Sequence, residues 1–278
     1  MEQKIDSSRL SLDIDSFKKR KRNESYMMTM LSVIGVLTFL IIWQLVVMSG
    51  LVNNKYLASP VQVASLFLVK LTDPSPDGNT LLINIVSSLQ VSLAGFFLAI
   101  SIGIPLGLLM GWFKGFDSFM RPIFEIIRPI PPVSWIPLTI VWLGIGLQAK
   151  AFIVFFSAFV PCVINSYTGI KQTSTVLINV AKTCGASYFT TFIKIGIPSS
   201  LTMVFAGVKV ALGNAWSTLV AAEMLAASSG LGYMILMGRQ FGRPDIIILG
   251  VVVIGCIGVA FSAALNWVER KVMGWKNT

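Results

Sequence analysis

N-V-A-K-T-C-G-A-S-Y-F-T-T-F-I-K-I-G-I-P, residues 179–198, decides how this chain is read. It is a compact run of polar and small residues set between two long apolar stretches, 151–170 and 199–222. Apolar runs of about 20 residues are long enough to cross a bilayer, so the passage between them is a loop joining two spans. The loop ends at Pro198, whose fixed φ and missing N–H suit the first turn of the helix that restarts there. Inside it the sequence predicts a short amphipathic helix over 181–191, lying parallel to the membrane. Gly185, Ala186 and Ser187 are small enough for close backbone approach, and Tyr188, Phe189 and Phe192 supply an apolar face.

Composition extends this reading to the whole chain. Of the 278 residues 55% are hydrophobic and 12% charged, about half the charged share of a soluble domain, and the mean hydropathy is +0.78. An all-α integral membrane protein with about six transmembrane helices follows, at roughly 20 residues per span. The first span is expected over 27–49, behind the basic run K-K-R-K-R at 18–22. It is longer than a signal-peptide core and reads as an uncleaved anchor. A short helix follows the S-P pair at Ser59 and Pro60, then the turn-rich D-P-S-P-D-G-N at 73–79. The second span covers 81–113 without a charge; its Gly103, Gly107 and Gly111 are four apart and share one face where another helix can approach closely. The third starts at R-P-I-F-E-I-I-R, 121–128, and must break at P-I-P-P-V-S-W-I-P, 129–137. The fourth covers 151–170, the fifth 199–222 and the sixth 246–268.

The net charge of +10 is explained by topology, so no nucleic-acid partner is expected. With the N-terminus inside, the basic residues of the tail, Lys114, Arg121, Arg128, Lys171, Lys182, Lys194, Arg270, Lys271 and Lys276 fall on the cytoplasmic side. Only Lys55, Lys70, Lys150, Arg239 and Arg243 fall outside. This is the positive-inside pattern, and it puts both termini and the 171–198 loop in the cytoplasm. There is no histidine, and Cys162, Cys184 and Cys256 form no C-x-x-C pair. Neither a metal site nor a cofactor is expected, and a disulfide framework is not supported.

The 179–198 loop resembles the E-A-A-x-x-x-G-x9-I-x-L-P loop of binding-protein-dependent ABC-transporter permeases. Ala181, Gly185, Ile195 and Pro198 fall on pattern positions, while Asn179, Val180 and Ile197 stand where the pattern has Glu, Ala and Leu. R-P-I-P-P-V-S-W-I-P-L at 128–138, W-L-G-I-G at 142–146, A-W-S-T-L-V-A-A-E-M at 215–224, S-S-G-L-G-Y-M-I at 228–235 and L-A-S-P at 57–60 resemble the nitrate/sulfonate/taurine branch. The resemblance implies a type I ABC importer permease fold and a bacterial inner-membrane subunit. It further implies a second copy of the chain, an ATP-binding cassette subunit below and an extracytoplasmic solute-binding protein above. The loop residues Asn179, Ala181, Gly185, Ala186, Ser187, Ile195 and Pro198 would then form the coupling element that receives ATP-driven motion. The corresponding layout is a cytoplasmic tail at 1–25, first span and extracytoplasmic segment at 26–80, permease core at 81–270 and cytoplasmic end at 271–278. The chain has no G-x-x-x-x-G-K-[ST] phosphate loop, so ATP hydrolysis belongs to a separate subunit.

Candidate pathway residues are Arg128, Lys209, Trp216 and Glu223. Lys209 lies roughly 15 Å into the fifth span at 1.5 Å per residue, where a lysine costs about 2.5–3.5 kcal/mol. It is expected to line the route and attract an anionic substrate, with Trp216 as a nearby gate. Two other classes stay open at this point. An intramembrane enzyme would need clustered acids, but Glu125, Glu223 and Asp245 sit on different segments and no histidine can serve as base. A freestanding secondary carrier would show an internal repeat of span patterns, and none is convincing.

Overall fold

The computed structural model describes the backbone of residues 7–50 and 56–272, with side chains for 24, 26–50, 56–225 and 227–272. Residues 271 and 272 close the last helix, and the remainder of the expected C-terminal segment lies outside the described residues. Two compact units divide the chain, 1–64 and 65–278.

The first unit is carried by α1, Ser7–Met48, whose apolar part spans Tyr26–Met48. The backbone of residues 7–25, expected as a tail, continues that helix. α2, Pro60–Lys70, begins in this unit with a reciprocal cap. The Ser59 N–H donates to Gln62 Oε1 at 2.9 Å and the Gln62 N–H to Ser59 Oγ at 3.3 Å, with Pro60 at the position that needs no donor.

The second unit is built on three long helices, α3 (Leu81–Trp112), α6 (Leu147–Lys171) and α9 (Ile197–Ala226). Glycines set the closeness of α3 and α6. A Cβ added at Gly95 would lie 2.6 Å from the Ala151 carbonyl oxygen, at Gly107 2.4 Å from that of Val163, and at Gly111 1.9 Å from Ile170 Cγ2. The face expected from Gly103, Gly107 and Gly111 is therefore the α3–α6 seam, extended two four-residue steps back by Gly95. On the other side of α6, a Cβ at Gly169 would meet Met203 at 2.8 Å, and one at Gly207 of α9 would meet Asn165 at 2.5 Å. Small residues let backbones touch where lipid tails give no hydrophobic drive for helices to associate.

Between α3 and α6 the chain forms α4 (Lys114–Ile127), a 3-10 turn at Pro132–Trp135 and α5 (Ile136–Leu143). The two arms meet at 82°, because Pro129, Pro131 and Pro132 remove consecutive helix donors. After α6 come α7 (Thr175–Thr183) and α8 (Tyr188–Thr191), a π turn at Phe192–Gly196, then α9. The Ile197 N–H reaches the Phe192 carbonyl, a five-residue register that carries the chain into Pro198, which has no N–H to offer. α10 (Leu231–Gln240) and α11 (Pro244–Val272) close the unit. Among the described residues five helices are long and apolar enough to cross a membrane, and six if the bent α4–α5 pair is one span.

Candidate functional site

The 171–198 loop does not form the single helix expected over 181–191. Gly185 has φ +78°, outside any right-handed helix, so the segment splits into α7 and α8. The Ala186 N–H returns to the Ala181 carbonyl and the Gly185 N–H to that of Lys182, both at 2.9 Å. These two bonds satisfy the last carbonyls of α7 in a left-handed glycine cap. No heavy atom of this chain lies within 4 Å of a Cβ placed there, so within the chain itself the glycine serves backbone conformation. Ser187 starts α8 as its cap, its Oγ accepting the Thr190 N–H at 3.1 Å.

The aromatic residues of this loop divide between two directions. Tyr188 donates its hydroxyl to the Trp112 carbonyl at 2.7 Å, an acceptor in the last turn of α3 that lacks a helical partner. Tyr188 and Phe192 pack on Trp112 and Phe113 with ring centroids 5.4–5.6 Å apart. Phe189 instead stays exposed, as do Val176, Leu177, Val180 and Ile193. Ala181 is buried, Asn179 is exposed, Ile195 is half-buried within the π turn, and Pro198 is exposed in the first turn of α9. The loop is thus fastened to α3 by one set of side chains and presents another outward.

The four candidate pathway residues fall in three places. Arg128 caps the C-terminal end of α4 at the 82° elbow and is exposed. It lines a cavity of about 330 Å³ together with Ser157, Asn214, Ser217 and Thr218. It also lines a neighbouring cavity of about 280 Å³ with Asp117, Arg121 and Glu125. There Arg121 pairs with Asp117 at 2.6 Å and with the Tyr167 hydroxyl.

Lys209 is ion-paired to Glu269, three residues before the end of α11. That acid is 60 residues distant and one residue beyond the sixth span expected at 246–268, so spacing along α9 does not point to it. Trp216 sits two turns further along the same face of α9. Its Nε1 donates to the Ile254 carbonyl at 3.0 Å and its ring meets Phe261 edge-on at 5.1 Å. Lys209, Trp216 and Phe261 line a cavity of about 200 Å³ between α9 and α11.

Glu223 is fully buried. The Ser88 hydroxyl donates to its carboxylate at 2.8 and 2.9 Å, and the Gly232 N–H donates to it at 2.9 Å. Ser88 accepts the Leu231 N–H at 2.8 Å, and Asn84 accepts that of Gly230 at 2.9 Å. Asn84 in turn donates to Asp77 at 2.7 Å, and Asp77 is ion-paired to the buried Lys70. This line of polar groups ties the 71–80 loop, α3, α9 and the start of α10 together. Nearby the Ser75 N–H donates to Asp73 at 2.9 Å, holding that exposed carboxyl below its ordinary range. The hydrogen bond from Arg243 to Asp245 raises the Arg243 guanidinium.

Residues 103–274 match the family described as binding-protein-dependent transport system inner membrane component. The taurine transport system permease protein of Escherichia coli is 32% identical over 87% of this chain and 88% of its own length. The nitrate import permease protein of Synechococcus elongatus is 33% identical over 84% of this chain and 86% of its own. A solved structure of a methionine ABC transporter superposes with a TM-score of 0.53 at 21% identity, over 68% of this chain and 95% of that one, which supports the type I importer fold. Neither an intramembrane enzyme nor a secondary carrier is favoured by these likenesses. The chain is a multi-pass membrane protein that belongs to the binding-protein-dependent ABC-transporter permeases, a family that works with an ATPase and a substrate-binding protein.

Proposed function

We propose that two copies of this chain form the membrane pathway of an importer for a small anion of the sulfonate, taurine or nitrate type. The observation that carries the reading is the exposed polar groove on the 65–278 unit. Arg128, Asn214 and Ser217 are all exposed beside it in a single copy. A charged side chain facing lipid is costly, by about 2.5–3.5 kcal/mol on insertion scales. A second copy meeting the first about a two-fold axis would enclose such a groove and fill it with water. The relatives named for taurine and nitrate support the anionic class.

The exposed apolar residues of α7 and α8, with Lys182 and Lys194 beside them, form the coupling surface for the ATP-binding cassette subunit. The seven loop residues from Asn179 to Pro198 shape that surface. In this layout both termini are cytoplasmic, with residues 1–25 inside, 26–80 carrying the first span and outer segment, and 81–270 the core. The solute-binding protein docks on the outer side. Of the pathway candidates, Arg128 is read as the route residue. Lys209 and Trp216 are read as a tie between α9 and α11, because Glu269 already neutralises the lysine. Glu223 is read as the clasp of the α9–α10 turn.

The test is ATP-dependent uptake of labelled taurine, methanesulfonate and nitrate by vesicles holding the full complex. The expected result is accumulation of at least one of the three. Absence of uptake of all three, with the complex assembled and hydrolysing ATP, would overturn the anion reading.

A further inference from the structure

We propose that Arg128, Asn214 and the Ser157–Thr218 hydroxyl pair form a transient binding site for a small oxyanion inside the membrane. The proposal rests on the reading of the chain as an anion importer and names the groups that hold the anion as it passes. Every residue lining the 330 Å³ cavity is neutral except Arg128, and no carboxylate is among them. The donors there are free to act. Among the described residues Arg128 makes no side-chain hydrogen bond or ion pair, whereas Arg121 and Lys209 are paired to acids. Asn214 has no side-chain partner either, which leaves both of its amide protons available.

Ser157 Oγ and Thr218 Oγ1 lie 2.7 Å apart across the α6–α9 seam. One proton is used between them and the other remains to be donated. Ser217 behaves differently, since its hydroxyl is donated to the Gly213 carbonyl at 2.9 Å. A guanidinium, an amide and a hydroxyl on one groove supply several donors to an anion with three oxygens, as nitrate and sulfonate groups have. The neighbouring 280 Å³ cavity shares Arg128 but adds Asp117, its ion-pair partner Arg121, and Glu125, so two acids there offset two bases. Those acids weaken the hold on an anion once it has passed the elbow, so Arg128 can receive on one side and release on the other. Such weak, successive sites are what conduction requires.

The site is testable by its local potential, independently of transport. Cys162, Cys184 and Cys256 are replaced by Ala or Ser in the full permease–ATPase–binding-protein complex, and Ser217→Cys serves as reporter because its hydroxyl is not a donor to the cavity. The modification rates by an anionic and a cationic methanethiosulfonate are compared. We expect the anionic-to-cationic ratio to fall about tenfold on Arg128→Gln and to recover in Arg128→Lys. Sodium methanesulfonate or sodium nitrate should slow labelling in the Arg128 protein and not in the Gln variant. An unchanged ratio, equal protection in both proteins, or a thiol closed to both reagents would overturn the site. Uptake by the unmodified complex is a separate measurement, so failure of the importer reading and failure of this site give different results.

Discussion

At Gly185 the backbone itself is the functional feature. A φ of +78° is disfavoured for most L-residues by about 1–2 kcal/mol, and asparagine tolerates it better than other non-glycine residues. Within the chain the space around the Cβ is open, so the turn itself can accept a side chain that tolerates this φ. Gly185→Asn should keep co-purification of the ATPase subunit near normal, while Gly185→Val should straighten or distort the α7–α8 turn and reduce it severalfold. Equal retention by both would show that the turn's conformation does not matter to docking. Glu223 makes the opposite kind of contribution, through a side chain with all its neighbours in place. Glu223→Gln keeps the shape, and with its amide oxygen in place of Oε2 it still accepts from the Ser88 hydroxyl and the Gly232 N–H, but it buries a new N–H₂ at the Oε1 position. One buried donor then lacks a partner, at a cost of about 1–3 kcal/mol. A lowered melting temperature of the detergent-solubilised protein is the expected readout, larger for Glu223→Leu. A melting temperature equal to that of the parent would remove Glu223 from the clasp.

At the level of elements, the glycine ladder and the proline breaks were legible because both act through local backbone rules. Four-residue spacing puts Gly103, Gly107 and Gly111 on one face whatever the partner is, and the partner proves to be α6. Gly107→Ala should cost about 1–3 kcal/mol by overpacking, read as lower thermal stability. Gly115→Ala, where a Cβ meets nothing within 4 Å, should be neutral or slightly stabilising. Equal losses at the two positions would mean that helix closeness is not what Gly107 provides. The α9–α11 tie was not legible, since it pairs Lys209 with an acid 60 residues away whose depth depends on how the helices cross. Its prediction is a double-mutant comparison. Lys209→Met leaves Glu269 uncompensated and should lower stability, and adding Glu269→Gln should recover about 1 kcal/mol of coupling. If uptake is lost in Lys209→Met and stays lost in the stable double variant, Lys209 belongs to the route after all. The split of the 171–198 loop was missed for a related reason. The apolar pattern runs on through Phe189 and Phe192, and only the sign of φ at Gly185 tells one helix from two.

For the whole molecule the decisive quantity is what remains uncovered in one copy. Exposed apolar side chains on α1, α3 and α11 suit lipid, but Arg128 and Asn214 do not, and both lie beside a groove. Local snorkelling can relieve a terminal lysine or arginine, whereas Asn214, seventeen residues into a 30-residue helix, lies too deep for its short side chain to reach the interface. Protein must therefore cover that face, and the proposed cover is the same face of a second copy, related by a two-fold axis. Native mass measurement of the complex, purified through a tag on the ATPase subunit, should give two permease chains per assembly. A thiol introduced by Asn214→Cys in the cysteine-free background should form a disulfide with its counterpart or with Ser217→Cys of a second chain, provided the groove closes to within bonding reach, about 7 Å between Cα atoms. One permease chain per complex would overturn the two-fold pathway. It would also require another subunit to supply the surface that shields Arg128 from lipid.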